Sequence, residues 1–164
     1  MRKAFTLIEL IFVIVLIGVL ASVAIPKFTH LATNAKSAGV KSLVTSIDSS
    51  IENIHGKWIV NDSYEWIGAD GKNHKDDFNN TTGYPAKLDD GSGSTSLFSY
   101  VLKVPVPSCQ GKTRGCWEEY EDNRYEYYYT GGKILKLDYN QSNGLLECID
   151  GVGVTKEECE KTIH

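Results

Sequence analysis

One stretch of this chain constrains its fold more than any other. Phe5 to Ile25 reads FTLIELIFVIVLIGVLASVAI, an apolar run interrupted by a single charge, Glu9. As an α-helix it extends about 31 Å, which matches a hydrocarbon core of about 30 Å. Arg2 and Lys3 stand before it, so the positive-inside rule puts its start in the cytoplasm and the remainder outside. A carboxylate at the centre of such a helix costs about 2.5–3.5 kcal/mol, and less near an end, where Glu9 lies. A charge kept there asks for a partner.

Two conventional explanations compete. Ser22-Val23-Ala24 has the small-x-small pattern of a signal-peptide cleavage site. A chain cut there would be an exported periplasmic binding protein starting at Ile25. Alternatively the run is a plain membrane anchor whose Glu9 snorkels to the headgroups. Against the first, the run exceeds a usual signal-peptide core, contains Glu9, and continues its helical pattern beyond the cut.

The segment Arg2-Lys3-Ala4-Phe5-Thr6-Leu7-Ile8-Glu9-Leu10 resembles the processing motif of type IV pilins and type II secretion pseudopilins. Gly18 and Pro26 also fall where that family usually has Gly and Pro. The resemblance is close over about the first 30 residues and extends in architecture to about residue 55. It implies cleavage between Ala4 and Phe5 by a prepilin peptidase/methyltransferase, and N-methylation of Phe5. It further implies polymerisation with like or unlike subunits, and dependence on an inner-membrane assembly platform with an ATPase motor. Glu9 of one copy would then meet the new Phe5 amine of its neighbour. Ala4 departs from the Gly usual before the cut. The expected location is the inner membrane, single-pass with a cytoplasmic start, and then a periplasmic or surface filament.

After Pro26 the apolar positions Phe28, Leu31, Ala32, Ala35, Ala38, Leu43, Ile47, Ile51 and Ile54 recur at mostly three- and four-residue steps, a helical stripe. Gly56 predicts the stop. Pro26 removes a backbone donor and Gly18 lowers helix propensity, so a kink or locally extended stretch between them is cheap. The expected division is a leader at 1–4, a membrane or filament-core helix at 5–26, its amphipathic continuation at 27–56, and a β-rich exported region at 57–164.

Beyond Trp58 the texture turns to Gly, Asn, Asp, Ser and aromatics. RYEYYYTGGKILKLDY, Arg124 to Tyr139, alternates on both sides of Thr130-Gly131-Gly132 and predicts a β-hairpin. Tyr125, Tyr127 and Tyr129 offer either cross-strand packing or a binding platform, and packing is the commoner use. Leu97–Val106 predicts a strand or short helix, Leu145–Ile149 a short strand, and residues 68–96 a long polar loop. The expected fold is α+β: a long N-terminal helix packed on a small antiparallel sheet.

All four cysteines, Cys109, Cys116, Cys148 and Cys159, lie in the last third. In an exported chain that favours two disulfides. Three pairings are open; Cys109–Cys116 and Cys148–Cys159 close short, turn-rich loops. No CxxC or nearby Cys/His pair has zinc-ligand spacing. Asp70, Asp76, Asp77, Asp89 and Asp90 are oxygen ligands that calcium could use, since some pseudopilins bind it, but their spacing does not match an EF-hand. No cofactor is expected otherwise. The net charge of −4 gives no electrostatic reason to expect nucleic acid. No nucleophile elbow, phosphate loop or HExxH is present, and His30, His55, His74 and His164 are scattered, so no enzyme is expected.

Overall fold

A computed structural model describes residues 6–61, 65–68, 70–91, 93–109, 111, 114–129 and 131–164, with backbone alone at 29 and 30. The chain divides into two compact units, Met1–Lys36 and Ser37–His164. One helix, α1 (Leu7–Val60), supplies residues to both. It is followed by β1 (Ser96–Leu97), β2 (Val106–Pro107), β3 (Trp117–Glu121), β4 (Arg124–Tyr128), β5 (Ile134–Asn140), β6 (Leu145–Val152) and α2 (Lys156–Ile163). The architecture is α+β, a long N-terminal helix followed by antiparallel sheets, as the sequence predicts.

In the second unit α1 buries Val40, Val44, Ile47, Ile51 and Ile54, spaced so that they share one face. These join a core with Trp117, Tyr125, Tyr127, Leu135, Leu137, Tyr139 and Leu146. Val40 and Val44 hold places that the sequence stripe gave to Leu43, which is only partly buried beside the core. The helix also continues through Gly56, the expected stop, to Val60, where Asn61 N–H reaches the Lys57 carbonyl at 3.1 Å. Packing outweighs the roughly 1 kcal/mol that an interior Gly costs. On either side of Gly56, His55 stacks on Tyr84 at 3.8 Å and Trp58 packs over Gly83.

β3 to β6 form an antiparallel sheet in sequence order. The predicted hairpin is β4–β5. Tyr125 opposes Leu137 and Tyr127 opposes Leu135 on the core face, and Glu126 opposes Lys136 on the other. Gly131 and Gly132 turn it at φ 85° and 78°, a left-handed conformation that favours glycine; Thr130 lies outside the described residues. Leu97–Val106 is neither a strand nor a helix. Its ends belong to two short strands, β1 and β2, which pair with each other across a turn. Leu145–Ile149 extends to a full eight-residue strand, β6. The described residues of 68–96 form no long strand, yet they bury His74, Phe78, Leu88 and Asp89.

Two elements escape the sequence pattern. β3 reads WEEYE and turns Trp117 and Glu119 inward. α2 is highly charged but carries a capping box, with Thr155 accepting from Glu158 N–H at 3.2 Å and Glu158 accepting from Thr155 N–H at 3.1 Å. Cys148 is bonded to Cys159, which ties α2 to β6, and Cys109 is bonded to Cys116.

Candidate functional site

Among the described residues, the large apolar side chains in the N-terminal part of α1 are exposed, unlike Val44, Ile47 and Ile51 further along it. Leu7 is 76% exposed, and Ile8, Phe12, Ile17 and Leu20 are similarly open. Among the described residues this helix is the one long and apolar enough to cross a membrane. An apolar surface on every side is expected only where the surroundings are themselves apolar.

Thr6 and Glu9 organise the helix start. Glu9 Oε2 accepts the Thr6 backbone N–H at 3.1 Å and the Thr6 hydroxyl at 3.0 Å, while Glu9 N–H donates back to Thr6 Oγ1 at 3.3 Å. This is a capping box, in which an N-cap hydroxyl and an acid three residues on satisfy each other's backbone donors. The signal, Thr-x-x-Glu, lies at Thr6 to Glu9 inside the apolar run, where hydropathy alone does not mark a cap. The box fixes the rotamer of Glu9 and leaves Oε1 without a partner among the described residues. A carboxylate so placed can accept an external cation.

Gly18 leaves open space where a Cβ would stand. Ser22 donates its hydroxyl to the Val19 carbonyl at 2.7 Å. Pro26 lies within the helix and α1 runs through it without interruption, so the local unwinding that Gly18 and Pro26 make cheap is absent here. The expected cleavage residues Ala4 and Phe5 lie outside the described residues.

The other candidate groups have local duties. His74 is buried, with Asp77 at 2.8 Å from Nδ1 and Asp70 at 3.0 Å from Nε2. Asp90 accepts from the Tyr100 hydroxyl at 2.9 Å, and Asp89 accepts from Phe98 N–H at 2.9 Å. Among the described residues no group of three or more His, Cys, Asp or Glu side chains could hold a metal ion. Tyr125, Tyr127 and Tyr139 lie in the core. Tyr128 faces the other way and reaches Glu126 at 2.7 Å and Glu118 at 3.0 Å; burial first, and then those two acids, push its phenol well above the ordinary value. His55 stacks on Tyr84 and His164 caps α2; the His30 side chain lies outside the described residues.

Residues 1–25 match the family model for the prokaryotic N-terminal methylation motif. The chain has a prepilin-type N-terminus. Two type IV pilus proteins resemble it. The Type IV narrow pilus major component PilA5 of Thermus thermophilus is 44% identical over 48 residues, 29% of this chain and 41% of that protein. The Type IV major pilin protein PilE1 of Neisseria gonorrhoeae is 26% identical over 135 residues, 78% of this chain and 69% of that protein. The chain therefore spans less than half the length of the first relative and about two thirds of the second. No solved structure matches it. The prepilin-type N-terminus includes Glu9, Thr6 and Gly18, so the matched motif and the capped, unburied helix coincide.

Proposed function

We propose that this chain is a structural subunit of a type IV pilin-like filament. The observation that carries the proposal is the lone acid, Glu9, capped by Thr6 at the start of an exposed apolar helix within a prokaryotic methylation motif. On this reading residues 1–4 are a leader removed by a prepilin peptidase, which cuts between Ala4 and Phe5 and methylates Phe5. Residues 5–26 anchor the precursor in the inner membrane and later form filament core, 27–56 continue the helix, and 57–164 coat the filament. Both relatives carry pilus names, which favours a pilus over a secretion pseudopilus.

Cleavage places a cationic amine at Phe5. At about 4 Å and an effective dielectric of about 20, Glu9 of one subunit attracts that amine on the next by about 4 kcal/mol before desolvation. Burying both ions offsets much of this, so the pair sets register more than it adds stability. Lipid is as apolar as the filament core, so helix burial alone does not drive extraction. An energy-coupled platform is accordingly a required partner. Neither step calls for a cofactor.

The test is Glu9→Ala in the producing bacterium, scored by shearing surface fibres and by fractionating membranes. The expected outcome is an unchanged amount of chain in the inner membrane with filaments lost. Wild-type filament yield from the variant would remove the role given to Glu9.

A further inference from the structure

Glu119 is a charged residue type in a core position. It faces inward from β3 beside Trp117 and is 4% exposed. Its Oε1 accepts Asn123 N–H at 2.9 Å, but its Oε2 is buried with no hydrogen-bond donor. Against it stands Asp89, 1% exposed. Asp89 is fully served: Gly91 N–H at 3.0 Å, Phe98 N–H at 2.9 Å and the Tyr125 hydroxyl at 3.2 Å all donate to it. These three donors leave neither Asp89 oxygen without a partner, unlike Glu119 Oε2. Among the described residues neither acid forms an ion pair with Lys, Arg or His.

Among the described residues, the groups that face Glu119 add no positive charge. They are Asp89 from the 86–98 segment and Asp122 from the β3–β4 turn, with Tyr125 of β4 alongside and Tyr139 of β5 beyond it. Two buried carboxylates with no cation cannot both ionise cheaply. A proton on Glu119 Oε2, donated toward Asp89, satisfies the one oxygen that lacks a partner.

The backbone around the pair is unusual. Among the described residues two non-glycine residues have positive φ, Phe98 at 58° and Asn123 at 65°. Each donates its N–H to one of these two acids, Phe98 to Asp89 and Asn123 to Glu119. Asn123 also donates its side-chain amide to the Ala86 carbonyl at 3.0 Å. The acids therefore hold both left-handed turns, and the Asn123 side chain ties one of them to the 86–98 segment.

We propose that Glu119 and Asp89 share a single proton, held by Glu119 at neutral pH, and that this pair is a pH-dependent latch fastening the 86–98 segment to the sheet. Raising the pH passes that proton to hydroxide, leaving two adjacent anions. The β3–β4 ladder holds Glu119 in place, so the segment bearing Asp89 is the side that yields. Burial, and then the charge of Asp89, raise the Glu119 carboxyl from an ordinary 4.5 to about 8. The folded chain thus keeps a proton that the unfolded chain releases. The resulting stability is fully present below about pH 4.5 and is lost as the pH rises through about 8.

The test uses the full-length protein in detergent, in an Asp48→Asn background because burial also raises the Asp48 carboxyl. Infrared spectra at pH 7 are expected to show the carbonyl stretch of a protonated carboxylic acid, shifted in D₂O, lost on alkaline titration and absent from Glu119→Gln. Denaturation in the same samples is expected to show a folding equilibrium constant that falls with rising pH, relative to Glu119→Gln, by up to about tenfold per pH unit between the two values. No acid band at pH 7, or the same pH slope in Glu119→Gln, overturns the proposal. If Glu119→Gln does not fold, the infrared titration of the parent protein decides alone: a band lost near pH 8 supports the latch, and its absence at pH 7 refutes it.

Discussion

The same helix carries two kinds of apolar surface. In its first part Leu7, Ile8 and Phe12 stand 76%, 71% and 64% exposed, with apolar neighbours all round. In its second part Ile47 and Ile51 are fully buried, on a single stripe backed by a sheet. Backbone geometry is common to both parts; the distribution of side chains around the axis is not. A stripe identifies a helix that finds its apolar partner within the chain. A helix greasy on every face has to find it outside, in lipid or in other copies. The capping boxes repeat the contrast. Thr6 with Glu9 and Thr155 with Glu158 have the same construction, yet one opens a membrane-type segment and the other a charged surface helix.

The contrast can be broken by mutation, and the largest effect belongs to the buried stripe. Ile51→Ala is expected to cost about 2–5 kcal/mol, read by chemical denaturation of the full-length protein in detergent. Leu16→Ala should leave that midpoint unmoved. Equal shifts from the two substitutions would erase the distinction between the parts.

Removing the bond between Cys148 and Cys159 with paired Ser substitutions is expected to cost about 2–3 kcal/mol. It should also speed proteolysis near α2, which that bond ties to β6. The same treatment should not alter membrane retention, because both cysteines lie in the second unit.

The capping boxes give a smaller and sharper comparison. Thr155→Ala should lower the denaturation midpoint by about 1 kcal/mol of stability. Thr6→Ala should leave it unchanged, since the start of α1 belongs to the other unit. The smallest effect is expected at Lys161, which pairs with Glu157 one turn away at 2.7 Å. Lys161→Gln should cost only about 0.3 kcal/mol, and that difference should vanish in high salt.

The legible parts of this fold were those in which local pattern and tertiary role agree. The apolar run, the alternation of Tyr125, Tyr127, Leu135 and Leu137, and the short cysteine spacings all point where the structure goes. The illegible parts bury polar groups. WEEYE does not read as a strand because its second inward residue is Glu119, and a core glutamate makes sense only beside Asp89. That acid lies 30 positions away in a segment that composition assigns to a surface loop. Asp89 itself is buried because backbone N–H groups of Gly91 and Phe98 surround it, a property of loop geometry and not of residue type. α2 was hidden by its charge, although Thr155-x-x-Glu158 signals its start. Gly56 misled because contacts formed by Tyr84 and Gly83, distant in sequence, keep the helix intact around it. In the candidate site the residue types Glu9, Gly18 and Pro26 stand out in the sequence, whereas the bond from Thr6 that orients Glu9 is a matter of helix-start geometry.

The most direct measurement is the intact mass and N-terminal fragment spectrum of the protein isolated from the bacterium that makes it. The filament account predicts a chain beginning at Phe5 and carrying one methyl group on its amine. A chain that still holds Met1 to Ala4 in assembled fibres, or one that begins at Ile25, contradicts it.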